Sequence, residues 1–114
     1  MKIHDGHIVQ DEDLEKALDF LRDSAGRMGD AKAETVRRSH MLKHTKALVM
    51  KRFNELSAAA QTREAEASDE YLIALEADAV AAGEYEKLRS LREAAALKIE
   101  AWRSEQANYR AMKI

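Results

Sequence analysis

The chain has 114 residues, 46% of them apolar and 35% charged, with four glycines, no proline, no cysteine and a formal net charge of −2. That length suits one domain, the wealth of Ala, Glu, Lys, Leu and Arg suits long helices rather than sheet, and the lack of cysteine removes disulfide frameworks and thiolate metal sites. Near-neutral charge gives no overall attraction to nucleic acid or anionic membrane, so any such binding has to be local.

Residues 1–10 carry a turn signal at Asp5-Gly6 and predict an irregular arm or a brief extended piece. The apolar run in MKIHDGHIV is too short for a secretory signal, and no stretch approaches the roughly 18 apolar residues of a membrane span; the expected location is cytoplasmic, with no membrane partner. Asp11 has the chemistry of an N-cap, and Glu12 and Asp13 complement the positive end of a helix dipole. Leu14, Ala17, Leu18, Leu21 and Ala25 follow at three- and four-residue spacing and predict a first helix over 11–25. Gly26 and Gly29 then predict a bend or break between 23 and 30.

A second helix is expected over 30–60, with Val36, Leu42, Val49, Phe53 and Leu56 in one stripe and Met41, Leu48 and Met50 widening it. Residues 57–67 lack large apolar side chains and read as the connector. Ser68 followed by Asp69 and Glu70 is a helix start. A third helix over 68–112 follows, with a stripe of Leu72, Leu75, Ala79, Ala82, Tyr85, Leu88, Leu91, Ala95, Ile99, Trp102 and Tyr109. Three-and-four spacing sustained this far predicts a coiled-coil-like seam. The short connector makes the second helix fold back antiparallel, where it covers only the first part of the third. Ile99, Trp102 and Tyr109 then need another partner, either the first helix within the chain or the same surface of a second copy, and unmatched length of this kind favours a homodimer. The expectation is one all-α domain over residues 1–114, an elongated antiparallel helical hairpin with a short N-terminal helix.

Residues 37–52, RRSHMLKHTKALVMKR, hold six fixed cations, two histidines and no acid. Net charge alternates along the chain: −4 over 1–30, +6 over 31–54, −1 over 55–61, −7 over 62–86 and +4 over 87–114. A fold at about residue 65 brings Lys51 and Arg52 level with Glu76 and Asp78, and Lys43 and Lys46 level with Glu84 and Glu86. Exposed pairs contribute only about 0–1 kcal/mol each, so this pattern selects register and partner more than it stabilises. The same register sets Arg37 and Arg38 opposite Arg89 and Arg92. With Lys43 they make a candidate basic patch for salt-dependent phosphate binding without base readout.

No constellation points to catalysis. His40 and His44 stand four apart, as HMLKH without the glutamate of a zinc protease helix, and this pair, like the separate pair His4 and His7, supplies only two nitrogens where a metal site needs three or four ligands. EAEASDE lacks the alternating oxygens and central glycine of a calcium loop. GRMG lacks the strand and spacing of a phosphate loop. Ser39, Thr45 and Ser104 have no base-and-orienter set. The expectation is a non-enzyme without cofactor or metal. Trp102 and Tyr109, seven apart, share one helical face with Ile99 and are either core against the first helix or a partner-binding anchor.

The run ASDEYLIALEADAVAAGEYEKLRSLREAAALKIEAWRSEQANYRAMK, with its S-D-E-Y helix start and K-I-E-A-W-R-S ending, resembles small all-helical proteins of bacteriophages and prophages, often encoded among recombination or replication genes. The likeness covers residues 41–113. It implies an accessory protein acting through contacts with DNA-processing proteins or DNA. The expected function is a helical protein-interaction module in phage DNA recombination or replication. A nucleic-acid-binding protein using the basic patch is the first alternative. An inhibitor of a host nuclease or defence complex, whose acidic residues 62–86 imitate DNA, is the second.

Overall fold

The computed structural model describes residues 9–113, and among them the protein is all-α, with four α-helices, one 3-10 turn and no strand. The helices are α1 (Asp11–Asp23), α2 (Ala25–Met50), α3 (Ala58–Glu66) and α4 (Asp69–Met112), with a 3-10 turn over Lys51–Phe53 between α2 and α3. None is long and apolar enough to cross a membrane. The expected arm over 1–10, its Asp5-Gly6 turn and the His4/His7 pair lie almost wholly outside the described residues. The chain divides into two compact units, one of residues up to Met28 with Lys87 onward, the other of Gly29–Glu86.

In the first unit α1 runs antiparallel to the C-terminal part of α4. The Asp13 carboxylate accepts from the Gln10 backbone N–H at 3.3 Å, so Gln10 rather than Asp11 is the N-cap of α1. At the other end Ser24, 1% exposed, is the single residue between α1 and α2. Its N–H donates to the Phe20 carbonyl and its own carbonyl accepts from Met28 N–H, both at 2.9 Å. The expected break at Gly26 and Gly29 is therefore confined to Ser24, and both glycines lie inside α2. A glycine weakens a helix without forbidding it, and the flanking residues here are good helix formers.

In the second unit α2 runs antiparallel to the first half of α4. The expected connector over 57–67 is largely helix α3, and the expected second helix over 30–60 stops at Met50. Ser57 starts α3, its hydroxyl accepting from Ala60 N–H at 3.2 Å, while the Gln61 amide donates to the Leu56 carbonyl at 3.0 Å. Ala65 in α3 is 0% exposed. Ser68 then caps α4 as its sequence implies: the hydroxyl donates to the Ala65 carbonyl at 2.6 Å and accepts from Tyr71 N–H at 3.2 Å. The chain reverses over residues 54–57, about ten residues before the expected point.

That shift moves the whole register. Ala31 and Lys32 lie level with Glu84 and Tyr85, the Lys32 ammonium sitting 5.2 Å from the Tyr85 ring centroid. Arg38 lies level with Ala77 and Thr45 with Glu70. Arg38 is thus level with Ala77 in place of its expected neighbours Arg89 and Arg92. Lys46 pairs with Glu66 at 3.2 Å and Arg52 with Glu70, in place of the expected partners at 76–86.

The seam on α4 repeats every seven residues. Ala74, Ala81, Leu88, Ala95 and Trp102 are covered, with Asp78, Tyr85, Arg92, Ile99 and Gln106 between them. The expected stripe is correct at Tyr85, Leu88, Ala95, Ile99 and Trp102. Its first four members, Leu72, Leu75, Ala79 and Ala82, are exposed. The steps Ala79, Ala82, Tyr85, Leu88, Leu91 are all of three residues, and each such step falls about 60° short of a full turn. Four of them walk round the helix. On α2 the covered series Met28, Thr35, Leu42, Val49 also repeats by sevens and leaves the expected Val36 exposed.

Candidate functional site

Among the described residues of the second unit, the feature that stands out is an uncovered apolar face. Side chains at 31, 34, 38, 41 and 45 on α2, and at 70, 73, 77, 80 and 84 on α4, follow helical spacing and flank one groove. Two depressions of about 330 and 360 Å³ form it, and Arg38 and Ala77 line both, so the two are continuous. Alanines 74, 77 and 81 make its floor. Ile73 and Val80, one heptad apart on α4, stand beside it 69% and 64% exposed, with Met41 opposite them on α2 at 46%. Isolated apolar side chains on a surface are ordinary, but a contiguous row along a groove marks an interaction surface.

Charge around the groove is asymmetric. From Asp69 to Glu86, α4 carries six acids and no base; α2 carries six bases and two acids. On α2, Glu34 receives both Arg37 and Arg38, the latter with Nε 2.6 Å from Oε1. The Arg38 hydrogen bond, with Arg37 beside it, holds the Glu34 carboxyl below its ordinary value. A hydrogen bond from Arg52 does the same for Glu70, helped by the backbone N–H of Glu70 itself. Asp69, Glu76 and Glu84 make no ion pair among the described residues.

Each cation proposed for phosphate binding faces a partner within the chain, Lys43 excepted, and for Arg37, Arg38 and Arg89 that partner is an exposed carboxylate that holds it only weakly. Arg37 and Arg38 are held by Glu34. The Arg89 guanidinium lies 3.5 Å from the Glu93 carboxylate. Arg92, in the first unit, donates through Nη1 to the Leu21 carbonyl at 2.8 Å and to the Ser24 hydroxyl at 2.6 Å. It caps the negative C-terminal end of α1, a role no local sequence signal announces because its partners lie about seventy positions away. Lys43 is exposed on α2 and makes no ion pair among the described residues.

The candidate anchors at the far end of α4 meet α1. The Trp102 indole N–H donates to the Asp11 carboxylate at 3.3 Å, with Trp102 and Ile99 half-buried. Beyond them the Val9 N–H donates to Glu105 Oε1 at 3.3 Å. Of the two partners expected for this end of α4, the first helix of the same chain is the one in place for Trp102. Tyr109 is 45% exposed, with the Lys113 ammonium 4.7 Å from its ring centroid. A smaller depression of about 230 Å³ lies beside α1, lined by Phe20, Leu91 and Ala94 with Lys16 and Lys98 at its mouth.

His40 and His44 are both exposed on α2, and among the described residues no group of three or more His, Asp or Glu side chains is arranged to hold a metal ion. The chain matches no protein-family model, no curated protein and no solved structure.

Proposed function

We propose that this protein is a non-enzymatic helical interaction module that works through the apolar groove between α2 and α4. The observation that carries this reading is the pair Ile73 and Val80, each about two-thirds exposed at heptad spacing beside a floor of alanines. A floor of small side chains admits another helix closely, and flanking aliphatic residues supply the area that helix buries. This ranks above phosphate binding because Arg92 is bound to the Leu21 carbonyl and the Ser24 hydroxyl, and Arg38 lies level with Ala77 instead of with the arginines expected beside it. The resemblance of residues 41–113 to phage and prophage accessory proteins supplies the setting, DNA recombination or replication in the cytoplasm of a bacterial host.

Photocrosslinking tests it. A benzophenone side chain at Val80, in the full chain expressed in bacteria, is expected to give one discrete adduct that is absent when the probe replaces His40 on the exposed side of α2. An adduct pattern identical at the two positions, or none from Val80, overturns the reading.

A further inference from the structure

The proposed function leaves open what lies in the groove, and charge decides between the candidates. We infer that the occupant is a second copy of this chain, seated so that each α2 lies across the other copy's α4. This rests on the groove being the working surface.

Two twofold arrangements lay one such face on another. With the axis across the helices, α4 meets α4 and α2 meets α2. Asp69, Glu76 and Glu84 then approach the same acids of the other copy, and like charges in apposition oppose the contact. With the axis along the helices, each α2 lies over the partner's α4, antiparallel to it, and levels repeat the register seen within the chain. Met41 of one copy then comes between Ile73 and Ala77 of the other. Arg37, on the outer flank of α2, comes within about one turn of Glu76, and His44 falls between Asp69 and Glu76. Glu34 also turns inward, but Arg38 meets its charge, which leaves the exposed Arg37 to turn from Glu34 to Glu76 of the other copy.

Self-association of this kind sets two of the unpaired acids of α4, Asp69 and Glu76, against the cationic helix the chain already pairs with it. The small floor at Ala74, Ala77 and Ala81 lets four helices pack as a bundle. The face also has enough area. Residues 69–84 span about 24 Å, and two helices side by side are about 20 Å across, so about 500 Å² per copy is covered. The total of about 1,000 Å² stands at the lower bound for a specific interface and suits a weak, reversible dimer rather than an obligate one.

Sedimentation equilibrium of the full chain at 1–300 µM, at low and moderate salt, tests the inference. A monomer–dimer equilibrium in the micromolar range is expected. Ile73→Glu abolishes it without loss of far-UV helicity, since Ile73 is exposed in the single chain. Glu76→Arg and Arg37→Glu each weaken it about tenfold, every substitution counting twice under the twofold axis, and the combination restores it to within about threefold of the parent. A chain monomeric at 300 µM overturns the inference, as does a dimer that ignores both Ile73→Glu and the charge exchange. The Val80 crosslink separates the two levels: an adduct of twice the chain mass supports self-association, an adduct with a different protein overturns it while sparing the groove, and no adduct overturns both.

Discussion

Replacing Arg92 with methionine removes a guanidinium that no ion pair with a carboxylate accounts for. Its Nη1 makes two short hydrogen bonds, to the Leu21 carbonyl at the last turn of α1 and to the hydroxyl of Ser24, which is 1% exposed. Each is charge-assisted, and one completes a carbonyl left open at a helix terminus. Methionine keeps the aliphatic packing and donates nothing. Together the lost hydrogen bonds and the lost charge at the helix end cost about 2–3 kcal/mol. A solvent-facing arginine given over to phosphate binding would cost less than about 0.5 kcal/mol. Urea unfolding at pH 7 reads the difference as a midpoint lowered by about 1–2 M. Trp102 fluorescence reports whether α1 leaves α4 first, because the indole is bonded to Asp11 of α1. Ser24→Ala in the same background completes a double-mutant cycle, with a coupling of about 1 kcal/mol expected. A loss under about 0.5 kcal/mol, or additive single and double variants, would refute the capping role.

Gly26 and Gly29 sit inside α2, with open space where a Cβ would project; alanine at either is expected to raise stability by about 0.5–1 kcal/mol, and a drop in melting temperature would restore the idea of a required bend. Ala65→Leu forces a large side chain into a position with no exposure and should cost about 1–3 kcal/mol in chemical denaturation, whereas Leu72→Ser, on a face half open to water, should stay within about 0.5 kcal/mol. The carboxyls of Glu34 and Glu70 are held below the ordinary value of 4.5 in the folded chain. Their contribution to stability is therefore complete above that value and disappears as the pH falls through the lowered ones. The pH dependence of melting below pH 5 should flatten in Glu34→Gln with Glu70→Gln, and an unchanged acid limb would contradict the pairing.

Helix content was legible from local chemistry alone. Without proline, and with good helix formers nearly everywhere, residues 11–112 had little else to form, and the Ser68 cap with Asp69 and Glu70 behind it placed the start of α4 to the residue. Ser57 before three alanines carried the same kind of signal for α3, but the absence of large apolar residues there pointed to a connector. Local patterns could not choose a face where every side is apolar. In YLIALEADAVAA, Leu72, Leu75 and Ala79 make as good a stripe as Ala74, Ala77 and Ala81. Counting back by sevens from Leu88 would have found Ala81 and Ala74 of the second.

Composition and local propensity thus settled that the chain is helical, where its last helix starts, and that its charge alternates in blocks. Packing settled everything that depends on which residues meet. The turn at 54–57 set the register of α2 against α4, which brought Arg38 beside Ala77 and Arg52 beside Glu70, and the packing of α1 on α4 placed Arg92 at the end of α1. A helix repeats its surface every few residues, so many antiparallel registers bury similar apolar area. The choice among them rests on long-range contacts, such as Arg92 with Ser24 and Trp102 with Asp11, whose partners are distant in sequence and adjacent only once the chain has folded.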